Sequence, residues 1–168
     1  SFGGQNFVEP YALDKVLEEF VAMAERIYGR EELAETLGSR FKAVLGNAHK
    51  KTGMRAVVLI DEYDKPLLDV MDMDISVQNE YGKMTLEDYN RNLLKGVYSV
   101  FKEADDDLQF VLLTGVTKFS QVSVFSGFNQ PNDISMDEHY EALCGITEDE
   151  LYSTFDEQIK AMAVRYKT

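Results

Sequence analysis

Two adjacent carboxylates, Asp61 and Glu62, are the residues best placed to do chemistry. They directly follow the apolar run 57–60, VVLI. A run that is apolar on both faces is typical of a strand buried under helices on each side of a parallel sheet, and ligands bind beyond the carboxyl ends of such strands. There an aspartate can hold Mg²⁺, and a glutamate can orient or deprotonate an attacking water. The same residues are also typical of a strand that ends in a solvated acidic turn without any catalytic role.

Thr114 provides a second polar strand tip. It follows the apolar run 108–113, LQFVLL, and helical spacing predicts a helix at 86–104 between the two strands. Two buried strands joined by a helical crossover are parallel and right-handed, so Asp61, Glu62 and Thr114 are expected at one edge of the sheet. A strand that ends in Asp-Glu is the Walker B arrangement of nucleotide hydrolases, and a hydroxyl on the neighbouring tip corresponds to the sensor-1 position. Thr114 equally suits a plain strand end or a turn cap.

The elements around these tips follow from apolar spacing and capping residues. Asp14 is expected to cap the first helix, and Thr147 with Glu150 forms a capping box for the last one. The terminal helix is expected to bury Leu151, Phe155, Ile159 and Met162. In chain order the other predicted elements are helices at 14–28 and 31–50, a loop at 72–85, a short strand at 140–146 and a helix at 147–166. The sequence thus predicts one α/β domain over 1–168, with a mainly parallel sheet between flanking helices in three layers.

Composition excludes several classes of protein. The 168 residues carry a net charge of −13 with a pI near 4.5, which disfavours direct binding to nucleic acid phosphates. No apolar run approaches the roughly 20 residues that a membrane-spanning helix requires, so no membrane contact is predicted. The single cysteine, Cys144, excludes an internal disulfide and favours a cytoplasmic location.

Three segments carry a specific family resemblance: VVLIDEYDKPLLD, YSVFKEADDDLQFVLLTGVTKFSQVSVFSGFNQPNDIS and LCGITEDEL, in this order and spacing. Over nearly all of 55–155 the chain resembles the predicted AAA-ATPase-like family. Members resemble signal-transduction ATPases of the P-loop NTPase fold (ASCE branch) and often continue into a restriction-endonuclease-like nuclease domain. The resemblance implies ATP and Mg²⁺ as cofactors, with Asp61 as the Mg²⁺-holding Walker B acid, Glu62 as the catalytic glutamate and Thr114 as sensor 1. Lys118, just past Thr114, is a further candidate for binding phosphate.

The sequence departs from the family pattern at one point. The family carries a phosphate loop, G-x-x-x-x-G-K-[ST], and this motif occurs nowhere in the 168 residues. Because the chain also begins at Ser1, we expect it to be the central part of a larger ATPase, inactive by itself, that binds ATP and Mg²⁺ only when intact. In the 5-1-4-3-2 strand order of the fold, the missing strand would lie beside 109–114. That bare edge predicts a homo-oligomer, an exchanged element or an inward shift of the last strand.

Two alternative functions are open from the sequence. The first is a non-catalytic, nucleotide-dependent switch or protein-interaction module, in which the helices serve partner contacts. The second is a two-metal phosphodiesterase site made by Asp61, Glu62 and Asp64. Adjacent strand residues point to opposite faces, so that site would need further ligands. His49 and His139 show no ligand spacing that would supply them.

Overall fold

The computed structural model describes residues 1–79, 82–117, 131–143 and 145–166. The chain divides into two compact units, an N-terminal unit (Ser1–Gln130) and a C-terminal unit (Pro131–Thr168). In the N-terminal unit the elements are, in chain order, α1 (Ala12–Tyr28), α2 (Leu37–Thr52), β1 (Ala56–Ile60), α3 (Lys65–Leu68), β2 (Ser76–Asn79), β3 (Gly82–Thr85), α4 (Leu86–Tyr98), α5 (Val100–Glu103), a 3₁₀ turn (Asp105–Asp107) and β4 (Leu108–Leu113). In the C-terminal unit they are a 3₁₀ turn (Glu138–Tyr140) and α6 (Glu148–Tyr166).

The two predicted apolar strands pair in parallel, which confirms an α/β fold with a small parallel sheet. β1 lies beside β4 in a register that places Val58 opposite Val111 and Ile60 opposite Leu113. The connection between them contains α4, as the crossover rule requires. Helices α1, α2 and α4 pack their apolar residues against one face of this sheet, and the buried cluster includes Leu17, Val44, Leu94 and Tyr98.

The expectation that these strands are covered on both faces is wrong for the part of the chain that the structure describes. Val57, Leu59 and Phe110, on the face opposite the core, are each at least half exposed. The helices of the described N-terminal unit pack on the other face, so three layers are not formed by these residues. The P-loop arrangement therefore stays a prediction.

Two helices begin at residues other than those predicted, and a capping side chain explains the start of α2 only, because no side chain caps α1. Helix α1 begins at Ala12, and Asp14 accepts a hydrogen bond from the Tyr89 hydroxyl at 2.7 Å instead of capping the helix. Helix α2 begins at Leu37, since the Thr36 and Ser39 side chains bond each other's backbone N–H groups in a capping box.

The sequence predicts a loop at 72–85, but this stretch includes β2 and β3, which pair in an antiparallel hairpin; residues 80 and 81 lie outside the described residues. Val77 is buried against Val70 and Leu86 in a small second cluster. The strands are four residues each and mostly polar, which gives too short an alternation to distinguish them from a loop.

The C-terminal unit confirms the predicted terminal helix but not its buried face. The Thr147 hydroxyl accepts from the Glu150 N–H, while the Glu150 carboxylate accepts from the Thr147 N–H and hydroxyl, so the capping box is present. None of the residues of α6 is buried. Apolar spacing identifies an amphipathic helix, but it does not identify what covers that helix.

The predicted strand at 140–146 is also wrong for its described residues. The 3₁₀ turn over Glu138–Tyr140 and the turns after it fold this stretch locally, beginning where Asp137 accepts from the His139 N–H at 3.0 Å. Cys144 lies outside the described residues. No described helix of either unit is both long and apolar enough to cross a membrane.

Candidate functional site

The carboxylate of Asp61 lies at the tip of β1 and contacts the tip of β4. Its Oδ1 accepts a hydrogen bond from the Thr114 hydroxyl at 2.5 Å, and its Oδ2 accepts one from the Ser1 hydroxyl at 3.1 Å. The Thr114 hydroxyl, and after it the Ser1 hydroxyl, holds the pKa of Asp61 below its ordinary value. The side chain is exposed and carries its charge at neutral pH, as a ligand for a hard cation requires.

Backbone hydrogen bonds explain why these two tips meet. The N–H of Thr114 donates to the carbonyl of Ile60 at 2.8 Å, and the N–H of Tyr63 donates to the carbonyl of Thr114 at 3.0 Å. The parallel ladder therefore continues past the last residues of both strands. The structure brings Asp61 and Thr114 together at one sheet edge, as parallel pairing predicts, and their roles in catalysis stay predictions.

Glu62 has an unusual backbone conformation. Its φ is +55°, in the left-handed region that glycine favours and other residues rarely adopt. Its side chain lies over the start of the chain, since a Cβ placed on Gly3 would be 3.2 Å from the Glu62 Oε1. Among the described residues, nothing hydrogen-bonds or ion-pairs with its carboxylate, which is thus left available to a water or a ligand. Lys118, the remaining candidate, lies outside the described residues.

Asp64 is a buried acid whose role the sequence did not reveal. Its Oδ2 accepts three hydrogen bonds, from the N–H of Val116 at 2.9 Å, the N–H of Thr117 at 2.6 Å and the Thr117 hydroxyl at 2.7 Å. The Tyr63 hydroxyl donates to the carbonyl of Thr117. We call these contacts, from Tyr63 and Asp64 to residues 115–117, the clamp. The signal in the sequence is the second aspartate of D-E-Y-D, but its partners lie more than 50 positions away.

Gly115 belongs to the clamp because it has no side chain. A Cβ at this position would lie 2.5 Å from the Tyr63 ring and 2.6 Å from Asp64 Oδ1, both closer than real contacts allow. Its φ is not in the left-handed region, so close approach and not backbone conformation accounts for glycine here. Glycine at position 115, just after β4, is therefore a packing requirement of the clamp.

The two-metal alternative gains no support from the described residues. They contain no group of three or more His, Cys, Asp or Glu side chains that could hold a metal ion. Asp64 is committed to the clamp, His49 pairs with Asp107, and His139 pairs with Asp137. The donor set does fit Mg²⁺ in the way that nucleotide enzymes bind it, through one carboxylate together with phosphate oxygens.

An apolar cavity of about 110 Å³ lies among α1, α2, β1 and α4. Its lining is formed mainly by core side chains such as Leu17, Phe41 and Val97. Ligand pockets are typically about 300 Å³ or larger with a few convergent polar groups. This cavity is too small and too apolar for a nucleotide, so the candidate site remains the sheet edge at Asp61.

Comparison with known proteins identifies the family. A family model described as "Predicted AAA-ATPase" matches residues 1–125. The chain belongs to the predicted AAA-ATPase-like family. The match confirms the resemblance and extends it to the first 54 residues, while it ends before the C-terminal unit. It includes Asp61, Glu62, Thr114 and Lys118.

A similar protein is described as "Uncharacterized protein in vnfD 5'region" from Azotobacter chroococcum mcd 1. It is 35% identical to this AAA-ATPase-like chain over 165 residues, which are 96% of the chain and 30% of the relative. The chain therefore spans about 30% of the length of that relative. No solved structure matches the chain.

Proposed function

We propose that this chain is the part of a larger ATPase that carries the Walker B acids and the sensor-1 residue. The observation that supports this most directly is the hydrogen bond between the Thr114 hydroxyl and the Asp61 carboxylate at the ends of two parallel strands. In nucleotide hydrolases an acid and a polar residue at neighbouring strand tips face the bound phosphates. Membership of a family described as a predicted AAA-ATPase supports the same function.

In this proposal each of four residues has a defined role. Asp61 would hold Mg²⁺, which would supply positive charge for the phosphate oxygens of ATP. Glu62 orients or deprotonates the attacking water, for which its carboxylate is available. Thr114 keeps the Asp61 carboxylate oriented and presents its hydroxyl at the edge of the sheet where the phosphates would lie. Lys118 follows the clamp and would neutralise a phosphate oxygen.

The phosphate-binding loop must come from outside these 168 residues, because the chain contains no G-x-x-x-x-G-K-[ST]. Without that loop there is no backbone cradle for the phosphates. A longer polypeptide is consistent with the relative, of which the chain covers only 30%. We therefore propose that ATP and Mg²⁺ bind the full-length gene product and that the isolated chain has no ATPase activity.

The test is Glu62→Gln in the full-length gene product, with Glu19→Gln as a matched control on the exposed face of α1. Glu62→Gln is expected to retain ATP binding while kcat falls on the order of 10²-fold or more, because the amide cannot take a proton from water. Glu19→Gln is expected to keep wild-type turnover. Turnover retained in Glu62→Gln would reject the role of Glu62, and a wild-type protein that does not bind ATP would reject the whole proposal.

A second candidate is a nucleotide-dependent switch that works through protein contacts. It is favoured by the exposed apolar sheet face at Val57, Leu59 and Phe110, since such patches commonly mark interaction sites. The predicted homo-oligomer through the β4 edge is a separate expectation, because it follows from the strand that the P-loop order would place beside 109–114. Sedimentation equilibrium of the 168-residue chain is expected to show a dimer, and a monomer at all concentrations would contradict it. ATP binding with negligible turnover in the full-length product would favour the switch over the ATPase.

A further inference from the structure

We propose that Asp64 is a positioning residue that sets Thr114 against Asp61 by clamping the segment 115–117. This inference rests on the proposed function, because it assigns Asp64 a task at the same site. Asp64 does not touch Asp61 in any hydrogen bond that the structure describes, so it acts through the strand tip and not on a ligand directly.

The first argument is the burial of Asp64 and the number of donors it collects. Only 1% of the residue is exposed, and a buried carboxylate is costly unless hydrogen bonds compensate it. Three donors converge on one oxygen, two from the backbone and one from the Thr117 hydroxyl. Hydrogen bonds to a charged acceptor are shorter and stronger than neutral ones. These hydrogen bonds therefore fix the position of the backbone at 116 and 117 relative to the Asp64 carboxylate.

The second argument is the other carboxylate oxygen. Asp64 Oδ1 is buried and has no hydrogen-bond partner among the described residues. A buried carboxylate oxygen without a partner costs free energy that an apolar side chain at this position would avoid. This oxygen instead lies 2.6 Å from the position that a Cβ would take at residue 115, which is too close for any residue other than glycine. Together with the Tyr63 ring, the unsatisfied atom leaves room only for glycine at position 115.

The third argument is the direct connection from the clamp to Thr114. Gly115 is held between the Tyr63 ring and Asp64, and the Thr114 carbonyl accepts from the Tyr63 N–H. Thr114 therefore lies between Gly115, which the clamp holds, and β4, which pairs with β1. Its hydroxyl meets Asp61 at 2.5 Å only while this tip stays in place. Displacement of a catalytic group by about 1 Å can lower a rate on the order of 10²-fold.

The test begins with Asp64→Asn in the full-length gene product, because asparagine keeps the shape of the side chain but removes its charge. Asp106→Asn, at an exposed position in the acidic turn, is the matched control and is expected to keep the wild-type kcat. We expect kcat of Asp64→Asn to fall between about tenfold and 10²-fold with KM for ATP changed less than about twofold, because the chemistry and not the binding is misaligned. Thr117→Val is expected to lower kcat in the same way, and Thr117→Ser to recover most of that loss.

A double variant distinguishes positioning from a purely structural role. In a Thr114→Val background, Asp64→Asn is expected to cause less than about a twofold further loss of kcat, because residues that act as one unit are not additive. A full multiplicative loss in that background, or a wild-type kcat in Asp64→Asn, would overturn the proposal.

A readout without ATP separates this proposal from the ATPase proposal. Hydrogen exchange of the peptide that covers 114–117 is expected to speed up at least about tenfold in Asp64→Asn, with α4 unchanged, because the amides of Val116 and Thr117 lose their charged acceptor. If the wild-type protein hydrolyses no ATP, faster exchange at 114–117 still supports the clamp while the proposed function fails. Unchanged exchange at 114–117 would overturn the clamp whatever the activity.

Discussion

The two units of the chain differ in the contacts that stabilise each of them internally. In the N-terminal unit, side-chain hydrogen bonds join distant parts of the sequence: Thr114 is 53 positions from Asp61, and Thr117 is 53 positions from Asp64. In the described part of the C-terminal unit, the side-chain hydrogen bonds join residues two to four positions apart. The N-terminal unit has a continuous buried cluster, whereas α6 buries none of its residues.

This difference separates cooperative structure from local structure. Long-range contacts must overcome the entropy of closing a long loop, so they form together with the whole core. Local caps and turns can open and close without the rest of the fold. Substitutions in the N-terminal unit are therefore expected to change global unfolding, and those in the C-terminal unit to change only local order.

The largest expected contrast is between two phenylalanines. Phe7 is fully buried against Phe2, while Phe155 is 41% exposed on α6. Phe7→Ala should lower the free energy of unfolding by about 3–5 kcal/mol because it leaves a cavity in the core, and Phe155→Ala by about 0.5 kcal/mol or less. Urea unfolding of the chain followed by circular dichroism measures both. Equal losses would show that α6 belongs to the cooperative core.

Two ion pairs give the next contrast. Arg40 on α2 reaches Glu25 on α1 with two hydrogen bonds of 2.9 Å, and both residues are buried. Arg40→Met should cost about 3 kcal/mol because it leaves Glu25 buried without its partner. Lys160→Met, which removes a surface pair with Asp156, should cost less than about 0.5 kcal/mol. Similar costs in urea unfolding would contradict the distinction between the units.

The pH dependence of the Arg40 variant follows from Glu25. The hydrogen bond from Arg40 holds the pKa of Glu25 below its ordinary value. A lowered pKa contributes stability that is present above the unfolded-state pKa and is lost as pH falls through the folded-state pKa. The deficit of Arg40→Met relative to wild type should therefore shrink as Glu25 becomes protonated in acid. A deficit that stays constant with pH would rule out this origin.

A smaller effect is expected from the cap of α6. Thr147→Ala removes the hydroxyl that accepts from the third residue of the helix, and loss of such a cap typically costs about 1 kcal/mol of helix stability. The cost should appear as faster hydrogen exchange in the first turn of α6. The urea midpoint of the N-terminal unit should not change. A change in that midpoint would show that the two units unfold cooperatively.

The smallest effect concerns one titration. Thr114→Val removes the hydroxyl that does most to hold the pKa of Asp61 below its ordinary value, so the pKa of Asp61 should rise in that variant. Carboxyl NMR titration measures it, with Thr147→Ala as the control that should leave Asp61 unchanged. No rise would mean that the Asp61–Thr114 hydrogen bond is not formed in solution.

The sequence predicted the parts of the fold that follow from apolar pattern and chain connectivity. The runs at 57–60 and 108–113 are strands, and parallel pairing brought Asp61 to Thr114. The capping box of α6 could be predicted because its two residues, Thr147 and Glu150, are only three positions apart. These features depend on residues that are near in sequence or on a general rule of topology.

Other features could not be predicted because they depend on distant partners. Asp64 in D-E-Y-D resembles an ordinary turn acid until residues 116 and 117 are placed beside it. The β2–β3 hairpin buries little more than Val77, so its strands carry almost no apolar alternation. The stripe on α6 was expected in a core, but periodicity describes a helix face and not its surroundings.

The left-handed backbone of Glu62 has an evolutionary consequence. A residue with a Cβ in this conformation is disfavoured by roughly 1–2 kcal/mol, and glycine, with an unfolded-state cost of roughly 0.5–1 kcal/mol, would be the better choice for stability alone. Random substitution without selection for activity would therefore tend to replace this glutamate by glycine. Under the proposed function, lineages that no longer need ATP hydrolysis should lose Glu62 before they lose the fold around it, so a glycine directly after Asp61 would mark relatives without that activity.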